Sequence, residues 1–183
     1  MENPFKQKDF NKIASKLKQG DQRAGEEIFN YFNPKIFRYF MIRLADRETA
    51  QDLSQDVFLK LVGKIDSFNA DLGNFSAWFW QIAKNTLIDY YRKKKTIAFA
   101  NLDAVSPYLA DKKQGPGPAE KERLKEIMEV IGKFSEKEQE MFSLRHLSGL
   151  SYKELSKMTG QSEGSLRVLL HRINQKIRKA IHD

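Results

Sequence analysis

The chain has 183 residues, no cysteine, 40% hydrophobic residues and a formal net charge of +8. That size holds one domain or two small ones, and the missing thiols exclude disulfides, thiolate zinc sites and cysteine redox sensing. The excess positive charge suits a polyanionic partner, nucleic acid first. Met1 to Lys8 contain no apolar run of the signal-peptide kind. Phe75 to Ala83, the richest apolar stretch, falls short of the roughly 20 residues that cross a bilayer, so a cytoplasmic location is expected.

Helical period dominates from the start. Phe10, Ile13, Ala14 and Leu17 mark a first helix ending at Gly20, and Asp21 can cap a second carrying Ala24, Ile28, Tyr31 and Phe32. Pro34 marks a break, a kink or a fresh start, after which Ile36, Phe37, Phe40, Met41 and Leu44 resume. A further helix runs from about Arg47 to Asp66 on Ala50, Leu53, Val57, Leu61 and Ile65, and another from about Ser76 to Lys93. Lys94 to Lys121 reads as a linker, because Gly115-Pro116-Gly117-Pro118 cannot lie inside a regular helix. Beyond it, Leu124, Ile127, Met128, Ile131 and Phe134 space as a helix, followed by Met141, Phe142, Leu144 and Leu147 behind a Ser135/Glu138 capping pair. No strand alternation of useful length occurs. The expected fold is all-α: two small helical domains joined by a flexible linker.

Leu150 to Arg167 carries the sharpest local signal. Ser151 and Glu154 have capping-box spacing, Gly160 can take the left-handed turn conformation, and Ser162 can cap the next helix. Such a helix-turn-helix can push its second helix into a DNA major groove, though turn chemistry alone does not separate it from an ordinary αα-corner. Charge does. From Arg167 onward Arg167, Arg172, Lys176, Arg178 and Lys179 face only Asp183 as an acid, behind an apolar stripe of Leu166, Leu169, Leu170, Ile173, Ile177 and Ile181.

In the first half, Phe68-Asn69 and Asn74 flank a polar loop that leads into the aromatic helix Phe75 to Asn85, and Tyr90-Tyr91-Arg92-Lys93 follows. Aromatics can stack on unpaired bases, amides can bond a base edge that has left the stack, and cations can track phosphates. Trp78, Ile82 and Ala83 fall at core spacing, whereas the position of Trp80 is open. Glu48, Asp52 and Asp56 form an acidic stripe that would repel DNA; a basic protein surface or plain solvent are its two readings.

The run Asp46 to Leu61, with Phe75 to Asn85 and Asp89-Tyr90-Tyr91-Arg92, resembles region two of bacterial sigma factors, and Leu150 to Arg172 resembles region four. The whole chain is similar to the extracytoplasmic-function branch of the sigma-70 family. The resemblance implies region two over 8–95, a linker over 96–119 and region four over 120–183. It implies docking of Asp52, Gln55 and Asp56 on the clamp helices of the largest polymerase subunit, with the flap as partner of region four. Phe68, Asn69, Asn74, Asn85, Arg92 and Lys93 would meet the melted minus-ten strand, and Arg145, Tyr152, Arg167, Val168, His171 and Arg172 the minus-35 duplex. Family recognition helices often carry a Thr-Val-Lys-Ser-Arg-like run, whereas Ser165-Leu166-Arg167-Val168-Leu169 stands here, and Val168 can offer only apolar contact, for example to a thymine methyl. Many relatives are held by an anti-sigma factor, but no residue here demonstrates one.

The implied function is promoter recognition and DNA melting as a polymerase subunit, without catalysis, metal or cofactor. His146, His171 and His182 lack zinc-ligand spacing, and Gly20 to Gly25 lacks the Lys-Ser/Thr of a phosphate loop. The rivals are a dimeric helix-turn-helix regulator, which leaves the aromatic loop and acidic stripe idle, and a protein-interaction adaptor, which leaves the basic helix idle.

Overall fold

The computed structural model describes residues 9–44, 46–100 and 129–182, which are helical with short turns and contain no strand. Helix α1 spans Phe10–Lys18, with the Asp9 carboxylate accepting from Lys12 N at 3.2 Å. Gly20, at φ 84°, then turns the chain, and Asp21 accepts from Arg23 N at 2.9 Å to open α2, Gln22–Leu44. Pro34 neither breaks nor ends α2, which continues through it. A proline inside a helix costs about 3 kcal/mol. Burial of Phe32, Ile36, Tyr39 and Phe40 on either side, at about 1.5–3 kcal/mol each, outweighs that cost.

Asp46 caps α3, Arg47–Lys64, through Thr49 N at 3.3 Å and the Thr49 hydroxyl, and these bonds hold its carboxyl below the usual range. A single 3₁₀ turn, Ile65–Ser67, leads to the loop before α4, Phe75–Ala100. The sequence reading ended α4 near Lys93 and began the linker there; that end is corrected to Ala100. No glycine or proline intervenes before Pro107, so nothing in the local chemistry stops the helix earlier. The remainder of the expected linker, 101–119, and Leu124, Ile127 and Met128 lie outside the described residues.

In the second half a helical stretch at 129–132 precedes α5, Glu136–Ser148, α6, Tyr152–Thr159, and α7, Glu163–His182. Both expected capping boxes form: the side chains of Ser135 and Ser151 each accept from the amide three residues on, while Glu138 and Glu154 reach back. Gly149 and Gly160 sit at φ 72° and 71°, the left-handed conformation that favours glycine. On α7, Leu166, Leu170 and Ile173 are buried and Leu169 and Ile177 half-buried, as the stripe required; the side chain of Ile181 is outside the described residues.

The two helical halves pack against each other. One continuous cluster of buried side chains runs from Phe10, Phe32, Phe75 and Phe79 through Tyr39 and Trp80 to Met141, Leu144, Leu155 and Ile173. Helix α5 packs on α2, and α6 on α4. Arg43 Nη1 donates to the Glu136 carbonyl at 2.7 Å, and Lys84 pairs with Glu140 at 3.3 Å. Trp80 is fully buried, edge-on to Tyr39 at 5.6 Å, while Trp78, placed in the core by spacing, is only half-buried.

Candidate nucleic-acid interface

The loop from Phe68 to Asn74 and the first turns of α4 enclose a cavity of about 350 Å³. Phe68 is buried as its floor, edge-on to Phe75 at 5.4 Å and tilted on Trp78 at 5.3 Å. Asn69 accepts from Asp71 N at 2.9 Å, an Asx turn that leaves its amide exposed on the rim. Asn74 caps α4, accepting from Ser76 N at 2.8 Å, and also lines the cavity. Aromatic rings therefore meet side-chain amides within one concave surface, as a planar heterocycle requires.

Two lining residues, Trp78 and Gln81, were missed as contacts in the sequence. Asn74, Trp78, Gln81 and Asn85 follow helical spacing from the loop, so a face drawn along α4 would have found Gln81. Asn85 does not line the cavity. It lies one turn along, accepting from Gln81 Nε2 at 2.8 Å. Arg92 and Lys93 are exposed two turns further, with Arg92 bonded to Asp89 at 3.0 Å.

The second half closes one side of this cavity. Glu154, Lys157 and Met158 of α6 line it, and Asn74 Nδ2 donates to Glu154 Oε1 at 2.9 Å. Lys84 reaches the Met158 carbonyl at 3.4 Å. The Glu154 carboxylate therefore lines the same space as the rings.

On α7, Ser162 Oγ accepts from Ser165 N at 3.2 Å and starts the helix. Arg167, Val168, His171 and Arg172 are exposed. Arg167 pairs with Glu163 at 3.6 Å and lies over the Tyr152 ring at 4.3 Å; Arg145 lies over the same ring at 4.8 Å and donates to the Leu150 carbonyl at 2.7 Å. Tyr152 and the two guanidinium groups thus form one stacked unit, in which Arg145 is tied to the backbone and Arg167 reaches outward. Gln161, Gly164 and Ser165 with Lys137 of α5 border the same groove as Val168, Leu169 and Arg172. On α3, Asp52 and Gln55 are exposed and Asp56 pairs with Lys60 at 2.9 Å. Leu59 and Val62, overlooked in the sequence, stand 72% and 68% exposed beside them. Among the described residues no three His, Asp or Glu side chains converge as metal ligands would, and no helix is long and apolar enough to cross a membrane.

Residues 28–97 match Sigma-70 region 2, and residues 124–177 match Sigma-70, region 4. The chain belongs to the sigma-70 family, in its extracytoplasmic-function branch. It is 27% identical to the ECF RNA polymerase sigma factor SigW of Bacillus subtilis, over 95% of this chain and 97% of SigW. It is 22% identical to BldN of Streptomyces coelicolor over 93% of this chain, and spans 65% of that longer relative. The fold is that of the sigma factor RpoE in its co-crystal structure with the anti-sigma factor NepR from Bartonella quintana, at TM-score 0.71 and 20% identity, over 86% of this chain and 96% of that one. As a sigma factor the chain is a non-catalytic subunit that binds core RNA polymerase and promoter DNA in transcription initiation. The rings and amides of the cavity belong to region two, its closing side of Glu154, Lys157 and Met158 to region four, and the stacked Tyr152 unit lies within region four.

Proposed function

We propose that this sigma factor divides its work among three surfaces, within region two over 8–95 and region four over 120–183. Asp52, Gln55 and Asp56, with Leu59 and Val62 beside them, dock on the clamp helices of the core polymerase. A base flipped from the melted minus-ten strand enters the cavity of Phe68, Asn69, Asn74, Trp78 and Gln81, while Asn85, Arg92 and Lys93 hold the adjoining strand. Arg167, Val168, His171 and Arg172 face the minus-35 duplex, supported by Tyr152 and Arg145. The observation that carries this reading is the cavity at the start of α4, where aromatic rings and the Asn69, Asn74 and Gln81 amides line one space. Stacking on such walls contributes about 1–3 kcal/mol per base, which favours the open strand over the duplex without bond chemistry.

The protein acts in the cytoplasm, and an anti-sigma factor is its partner for restraint, as NepR is for the RpoE of Bartonella. Run-off transcription with purified core polymerase tests the reading: specific initiation is expected from this chain alone, and none from a helix-turn-helix regulator. Arg167→Ala is expected to weaken promoter binding by about 1–3 kcal/mol and relax selection at one minus-35 position. Asn85→Ala leaves polymerase binding intact and depresses permanganate reactivity at the minus-ten element; normal reactivity removes Asn85 from the site.

A further inference from the structure

Helix α1 has no part in the three surfaces, yet two of its side chains hold the cavity loop. Asn11 and Lys18 lie two turns apart on one face, about 10 Å along the axis. Asn11 Oδ1 accepts from Phe75 N at 2.7 Å, and its Nδ2 donates to the Gly73 carbonyl at 3.4 Å. The Phe75 amide belongs to the first turn of α4, where no carbonyl of the same helix can receive it. Lys18 Nζ donates to the Asp66 carbonyl at 3.0 Å and to the Phe68 carbonyl. One helix therefore fastens the loop where it leaves the 3₁₀ turn and again where it enters α4.

Between these ties stand Phe68, Asn69, Leu72 and Asn74, all lining the cavity. The loop's own bonds are local: Asp71 N and Leu72 N both turn back on Asn69, at 2.9 and 3.2 Å. Phe68, packed on Phe75 and Trp78, and the Asn74 cap are where the loop touches α4, and the two α1 ties hold the backbone beside each of them. The seat of α1 does not depend on the two polar side chains either, since Phe10 and Ala14 are buried and Ile13 and Leu17 pack beside them. Two of these four bonds are exposed and two half-buried, and each adds only modestly to global stability, because unfolding exchanges it for bonds to water. What they decide is where the loop's side chains sit relative to Trp78 and Gln81.

We propose that Asn11 and Lys18 are positioning residues for capture of the minus-ten base, holding both ends of the 66–75 loop so that Phe68, Asn69 and Asn74 face Trp78 and Gln81 at the spacing a base needs. This rests on the base-capture reading of the cavity. The test uses polymerase reconstituted with the full chain and promoters in which each non-template minus-ten nucleotide in turn is intact or abasic. The wild-type protein forms open complexes at least about 5-fold more slowly when the captured base is absent, the low end of a stacking contribution. Asn11→Ala and Lys18→Met are expected to slow opening on the intact promoter and to lose most of that abasic penalty, while Lys18→Arg keeps it. Melting of the free proteins is expected to shift by only a few degrees. Variants that are slowed equally on intact and abasic promoters, or whose intact-to-abasic ratio equals that of the wild type, overturn the positioning role and leave base capture standing. A wild-type protein indifferent to every abasic substitution overturns base capture, and the positioning role with it.

Discussion

Lys84→Met is expected to loosen the two halves from each other. The Lys84 ammonium touches two elements of the second half, the Glu140 carboxylate of α5 at 3.3 Å and the Met158 carbonyl of α6 at 3.4 Å. Its side chain is 18% exposed and that of Glu140 24%, so the pair is neither a surface ion pair worth under about 1 kcal/mol nor a fully buried one whose disruption costs about 3–5 kcal/mol. An intermediate cost of about 2 kcal/mol, roughly 30-fold in the balance between joined and parted halves, follows. Tyr39 adds no charge next to Glu140: burial first, and then the Glu140 charge, push its hydroxyl pKa up, so it stays a neutral phenol. Because the chain has no cysteine, Lys64→Cys and Lys179→Cys give one dye on each half, and energy transfer between them reports the separation. Transfer in Lys84→Met is expected to fall at lower urea than in the parent, with Lys84→Arg close to the parent. Since Glu154 and Met158 wall the cavity, a single-stranded minus-ten oligonucleotide should bind the free variant more tightly, by up to the same factor. An unchanged urea midpoint together with unchanged oligonucleotide affinity would refute the reasoning and leave apolar packing as the sole tie.

Gly160→Ala is expected to cost about 1–2 kcal/mol in urea denaturation, all of it from the backbone, because φ is 71° and an added Cβ meets nothing within 4 Å. A variant as stable as the parent would show that the turn relaxes to another conformation. Glu138 is held below its ordinary value of 4.5, first by its bond to Lys176 and then by the bonds from Ser135. A carboxyl depressed in the folded state stabilises fully above its unfolded value and loses that contribution as pH falls through its folded one. The urea midpoint should therefore drop below about pH 4.5, and less steeply in Glu138→Gln; parallel curves would remove Glu138 from the acid response.

The amino-acid sequence by itself determined what is local. Helix starts at Asp21, Ser135, Ser151 and Ser162 and the left-handed stop at Gly160 depend on groups two to four residues apart, so their spacing is the structure. The same holds for the apolar stripe of α7 and the acidic row on α3, which repeat at helical period. Pro34 went beyond local rules, since packing on both sides of the proline outweighed its missing bond, whereas the run of α4 past Lys93 follows from local chemistry, no glycine or proline standing before Pro107. Only the tertiary structure decided which tryptophan of the Trp78-Phe79-Trp80 run is sealed in and which lines the cavity. It alone brought Asn11 and Lys18 to a loop some fifty to sixty residues away, and Glu154 to Asn74 across 80 residues. Contacts at that separation leave no period in the chain; they arise when apolar faces of different helices bury one another, and the polar groups at the seams take whichever partners that burial brings within reach.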